Sequence, residues 1–142
     1  MREPQVVLDT NVIVSALRSR RGASFRLLEL LDAGRFGIAL SVPIALEYEQ
    51  EARSLANKRL LATRDAEEAI DYLCTVARHC KVFYLWRPFL RDPKDDMVLE
   101  LAVAGECDAI VTHNKRDFVG ADQFGLRVLS PREFLEELGE LT

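Results

Sequence analysis

The chain has 142 residues, 49% hydrophobic and 30% charged, with a net charge of −4. That length supports one self-sufficient core and that balance is globular rather than disordered, while no apolar run approaches the roughly 20 residues that span a membrane. Three cysteines without a CxxC pair and only two histidines, His79 and His113, argue against zinc, the acidic excess argues mildly against a general nucleic-acid binder, and unpaired thiols with no signal peptide fit a reducing cytoplasm.

In chain order, Gln5 to Leu8 is a short apolar run ending at Asp9 and predicts a buried first strand. Asn11 can cap a helix from Val12 to about Leu17. After the basic break Arg18 to Gly22, Ser24 can cap a second helix with Leu27, Leu28, Leu30 and Leu31 on a broad apolar face, ended by Gly34. Gly37 to Leu40 predicts a second strand. Ser41 and Pro43 open a helix that carries Glu47 and runs to about Leu55.

Asp65 with Glu68 resembles a capping box for a helix through Ala77. Lys81 to Leu85 predicts a third strand and Trp86 to Arg91 a loop. Asp92-Pro93 starts the next helix, with its body from Asp95 to Ala104 and its end at Gly105. Ala109 to Thr112 predicts a fourth strand, His113 to Phe124 a polar turn region, and Leu126 to Leu129 a fifth strand. Ser130-Pro131-Arg132-Glu133 carries cap, first-turn proline and third-position glutamate together, and opens a last helix to about Leu138.

Strands alternate with helices throughout, which predicts a three-layer α/β/α domain over residues 1–142 around a central parallel sheet of four to five strands. In such sheets ligands bind beyond the carboxyl ends of the strands. Those ends are acidic here. Asp9-Thr10-Asn11 follows strand one; Ser41 and then Glu47 follow strand two. Asp92, Asp95 and Asp96 open the helix before strand four, and Thr112-His113-Asn114-Lys115-Arg116-Asp117-Phe118 follows it. Taken singly, each acid has a structural explanation: Asp9 and Asp117 as turn formers, Glu47 as a solvated helix residue, Asp92 and Asp95 as partners of the helix dipole. Taken together, they converge on one sheet edge four times. Carboxylate-rich, histidine-poor sets select hard cations such as Mg²⁺ or Mn²⁺, and a bound cation relieves their repulsion and activates a water for in-line attack on phosphorus.

The segments V-V-L-D-T-N-V, S-V-P-I-A-L-E-Y, D-D-M-V-L-E-L-A and A-I-V-T-H-N-K-R-D-F, in this order and spacing, resemble PIN-domain ribonucleases, most of all the VapC-like toxins of prokaryotic toxin–antitoxin pairs. The resemblance runs from Val6 to about Leu135. It implies a PIN-like fold and an Mg²⁺- or Mn²⁺-dependent endoribonuclease whose catalytic, metal-holding acids are Asp9, Glu47, Asp96 and Asp117. It gives supporting roles to Thr112 and Asn114, with Asn11 beside the first aspartate. It also implies a small antitoxin protein as partner, a homodimer and a cytoplasmic setting. Two features depart from the pattern. Asn114 stands where many relatives carry an aspartate. Asp95 beside Asp96 leaves the ligand open by one residue, because neighbours on a helix point about 100° apart.

Arg18, Arg20 and Arg21 are candidates to guide the RNA backbone. Arg87 and Arg91 lie beside Trp86 and Phe89, which could stack on unpaired bases; solvated loop residues are the simpler explanation for each one singly. Three alternatives stand beside the nuclease. Leu8-Asp9-Thr10-Asn11-Val12 resembles the D-x-D-x-[TV] start of haloacid-dehalogenase-type phosphatases, but Asn11 replaces its second aspartate. A receiver-like signalling domain would want paired acids at the end of strand one. A catalytically silent PIN scaffold would bind RNA or protein only, although Asp9, Glu47, Asp96 and Asp117 are all retained.

Overall fold

A computed structural model describes residues 3–82 and 89–140. Among the described residues five strands form one sheet in the order β3-β2-β1-β4-β5, and every pairing is parallel. The strands are β1 (Gln5–Leu8), β2 (Gly37–Leu40), β3 (Arg78–His79), β4 (Ala109–Val111) and β5 (Arg127–Leu129). The helices are α1 (Thr10–Arg18), α2 (Ala23–Asp32), α3 (Val42–Asn57), α4 (Thr63–Val76), α5 (Pro93–Ala104) and α6 (Pro131–Glu137). The result is the expected three-layer α/β/α arrangement.

β1 is central because its residues suit burial on both faces. Val6, Val7 and Leu8 are wholly buried, flanked by Ile38 of β2 and Ala109 to Val111 of β4. The β1–β4 ladder continues one residue past β1, where Asp9 N–H donates to Val111 O at 2.9 Å. Asp9 is thereby fixed as the first residue beyond the sheet.

The terminus signals held where they rested on local chemistry. Gly34, at φ +77°, follows α2 and donates to Leu31 O at 3.1 Å; glycine reaches this left-handed conformation without a Cβ clash. Asp92 caps α5 by accepting from Lys94 N–H at 2.9 Å, with Pro93 next. Ser130 and Glu133 close a capping box, at 3.1 and 2.8 Å.

Four expectations are corrected. The third strand is Arg78–His79, upstream of Lys81 to Leu85, whose residues 83–85 lie outside the described residues. This edge strand pairs through its backbone to Ala39 and Leu40 and needs no apolar run. Asp9, not Asn11, caps α1, accepting from Thr10 N–H at 2.8 Å. α2 starts at Ala23 after Gly22, so Ser24 lies inside it, buried, with its hydroxyl 3.1 Å from His113 Nε2. α4 starts at Thr63 without a side-chain cap; Asp65 sits in its first turn and Glu68 pairs with Arg64 at 3.0 Å. No helix among the described residues is long and apolar enough to cross a membrane.

Candidate functional site

An open cavity of about 730 Å³ lies beyond the carboxyl ends of β1 and β4. Its walls carry Asp9, Glu47, Glu51, Asp92, Asp95 and Asp117. They come from the β1–α1 junction, the middle of α3, the start of α5 and the first of two 3-10 turns after β4, Lys115–Phe118. Parallel strands end on the same side, and each hands its chain to a turn or helix start there. That geometry gathers residues about a hundred positions apart.

Asp9 is the anchor. Only 8% exposed, it has one oxygen on Thr10 N–H and the other on the Thr112 hydroxyl, each at 2.8 Å. Thr112, wholly buried at the end of β4, also accepts from Asn114 N–H at 3.0 Å and Asn11 Nδ2 at 3.3 Å. Asn11 Oδ1 in turn accepts from His113 N–H at 3.2 Å. A short hydrogen-bonded web therefore locks the two central strand ends together beneath the cavity.

The acids repel one another. Burial pushes the Asp9 carboxyl above its ordinary value, and the Asp117 charge adds to the rise; the bonds from Thr112 and Thr10 and the nearby His113 oppose it. Burial likewise raises Glu47, aided by Asp9 and Glu51, while Lys94 works against it. Asp95 is raised from 3.8 to about 7, first by burial and then by Asp9, Asp117, Asp92 and Glu47. These mutual effects place Asp9, Glu47, Asp95 and Asp117 around one volume.

Helix rotation gives the adjacent Asp95 and Asp96 different surroundings. Asp95 lines the cavity. Asp96 is 2% exposed and turns to the preceding loop, where its carboxylate accepts from Leu90 N–H at 2.8 Å and Phe89 N–H at 3.4 Å. Asp96 is thus corrected from a cavity acid to a buried loop anchor, and Asp95 takes its place. Arg18 lines the cavity, whereas Arg20 and Arg21 are exposed on the connector and do not. Trp86 and Arg87 lie outside the described residues.

Sequence reasoning missed Glu51 and Lys94. Glu51 follows Glu47 by one helical turn, a spacing that puts both on one face. Lys94 sits between Asp92 and Asp95 and adds a cation to the wall. Thr10 Oγ1 is a third omission. It sits near the Glu47 carboxyl and offsets part of that rise. It is a buried oxygen with no hydrogen-bond partner among the described residues.

The donor set suits a divalent cation. Its side chains offer only hard oxygens, and the partnerless Thr10 hydroxyl lies among them, which is the chemistry Mg²⁺ and Mn²⁺ take. Among the described residues no three carboxylate, imidazole or thiol groups stand ready as a closed cage. Mg²⁺ does not require one: it keeps several waters and is held through one or two carboxylates plus substrate phosphate.

The family model of the PIN domain matches residues 5–116, ending one residue before Asp117. Among solved structures, the chain is similar to VapBC2 from Rickettsia felis, bound to a DNA fragment from their promoter. That match has 16% identity, a TM-score of 0.60, and covers 89% of this chain and 98% of that one. A comparison with curated proteins gives no match. Because the matched residues span β1 to β4 and the segments that carry Asp9, Glu47 and Asp95, the chain belongs to the PIN-domain family.

Proposed function

We propose that the protein is a metal-dependent endoribonuclease and the toxin of a toxin–antitoxin pair. The observation that carries this reading is the acidic cavity into which Asp9, Glu47, Asp95 and Asp117 converge from four separate segments. Burial and then mutual repulsion raise Asp95 to about 7, so the ionised cluster is costly without a counter-charge. The Thr112 and Thr10 bonds and the Lys94 charge offset this only in part, and a divalent cation would relieve the rest.

Asp9, Glu47, Asp95 and Asp117 would hold one or two Mg²⁺ or Mn²⁺ ions, with Thr10 Oγ1 as a neutral donor. When bound, the cation neutralises the phosphodiester and activates the attacking water. The web through Thr112 fixes the Asp9 carboxylate against the sheet, while Asn11 and Asn114 complete that support. Arg18, from the last turn of α1, and Lys94, from the first turn of α5, flank the acids and contact the RNA backbone. Arg20 and Arg21 meet the strand only further out along the connector.

The antitoxin and the homodimer belong to the same proposal. It is supported by family membership and by the likeness to a VapBC2 fold. The phosphatase alternative loses ground at Asn11, whose side chain is engaged by Thr112 and His113 and supplies no second acid.

The test is cleavage of single-stranded RNA with Mg²⁺ or Mn²⁺, with chelator and with Asp9→Asn. Asparagine keeps the oxygen that caps Thr10 and loses the charge. Cleavage that requires metal and vanishes in the variant is the expected result. Undiminished cleavage by a folded Asp9→Asn protein overturns the proposal.

A further inference from the structure

Leu8 O is the last carbonyl of β1 and directly precedes Asp9. On the β2 side the ladder is running out there. The pairing is Gln5↔Gly37 and Val6↔Ile38, and β2 stops at Leu40 as Ser41 and Pro43 turn the chain into α3. The acceptor is satisfied by a side chain instead: the Tyr48 hydroxyl donates to Leu8 O. Tyr48 is 1% exposed, so water cannot substitute for it. Its phenol is held neutral, pushed upward first by burial and then by the charges of Asp9 and Glu47.

The position of this bond is what matters. Tyr48 follows Glu47 on α3, and Leu8 precedes Asp9 on β1. The two acids repel each other. The bonds that hold the Asp9 carboxylate come from Thr10 and from Thr112 on the β4 side. The Tyr48 bond instead ties the backbone beneath Asp9 to the helix that carries Glu47. Resting on the metal-site reading above, we infer that Tyr48 is a positioning residue. Its hydroxyl fixes how far the Asp9 and Glu47 carboxylates stand apart, and so sets the affinity of the site for a divalent cation.

The experiment titrates Mn²⁺ into metal-free wild type, Tyr48→Phe, Asp9→Asn and Ile70→Val, with no RNA present. Phenylalanine keeps the buried ring and removes one hydroxyl. Ile70→Val trims the core on α4, outside the acidic cavity, and controls for general loosening. Circular dichroism confirms folding at the titration temperature. An excluded osmolyte, which strengthens burial, keeps Tyr48→Phe folded if its Tm falls too far. Groups that orient metal-holding side chains weaken binding about ten- to a hundredfold when removed. Tyr48→Phe is therefore expected to bind Mn²⁺ about tenfold more weakly, with Ile70→Val like wild type. Unchanged affinity in Tyr48→Phe, or equal losses in Tyr48→Phe and Ile70→Val, overturns the inference and leaves the metal site standing. Wild type that binds no better than Asp9→Asn overturns the metal site, and the inference with it.

Discussion

Asp95 and Asp96 are adjacent in the first turn of α5 and face different surroundings: Asp95 lines the acidic cavity, and Asp96 is buried under the loop that it holds through Leu90 N–H at 2.8 Å. Substitution separates the two roles. Asp95→Asn is expected to lower Mn²⁺ affinity and RNA cleavage while leaving the neutral-pH Tm unchanged or higher. Asp96→Ala leaves the buried Leu90 amide and the part-buried Phe89 amide without their acceptor and is expected to cost about 1–3 kcal/mol of stability. Thermal melts beside metal titration check both; a large Tm loss in Asp95→Asn contradicts the assignment.

The raised Asp95 value has a direction in pH. An acid whose folded value lies above its unfolded one binds its proton more tightly in the fold. Its contribution is complete below about pH 4 and is lost as the pH climbs through about 7. The Tm of metal-free wild type, relative to Asp95→Asn, is therefore expected to fall across that window. Asp9 and Glu47 shift in the same direction and leave a residual slope in the variant. Saturating Mn²⁺ at neutral pH should restore the wild-type Tm, because binding to the folded state alone stabilises it. A flat difference curve across the window argues against the raised value.

Thr112→Val is nearly isosteric and removes the hydroxyl shared by Asp9, Asn11 and Asn114. About 1–3 kcal/mol of stability is expected to go with it, and cleavage should fall about ten- to a hundredfold. Denaturant unfolding and steady-state kinetics measure the two losses. Wild-type activity in Thr112→Val would show that the web does not position Asp9.

Lys94 and Arg18 are proposed to contact RNA phosphates. Binding of single-stranded RNA, measured in an Asp9→Asn background that does not cut, should weaken with salt. The slope against log salt is expected to shrink by about 0.7 for each contact removed. Lys94→Gln and Arg18→Gln should each show that change, and Lys58→Gln on the distant α3–α4 connector should not. Identical slopes in all four proteins remove both cations from the interface.

Much of this was legible in the sequence where signals are local. The apolar runs of β1 and β2, the Asp92-Pro93 start and the Ser130–Glu133 box each carry their own determinants. Asn11 and Ser24 misled because capping residues are also good tertiary hydrogen-bonders, and here Thr112 and His113 claim them. β3 was illegible because Arg78 and His79 contribute backbone to an edge and no buried side chains. Asp9, Glu47 and Asp117 could be placed from strand ends alone. The choice between Asp95 and Asp96 could not, because it depends on how α5 rolls against the sheet.

β1 has its inner neighbour in β4, with Val6 beside Ala109 and Leu8 beside Val111. A nascent chain that has emerged from the ribosome only as far as α5 already carries Asp9, Glu47 and Asp95. It lacks the strand that clamps Asp9 and the turn that brings Asp117. Such a chain exposes one flank of its central strand and has not yet brought the four acids together. Assembly of the four-acid cavity is thereby deferred, by topology alone, until β4 and the turn that carries Asp117 have been made.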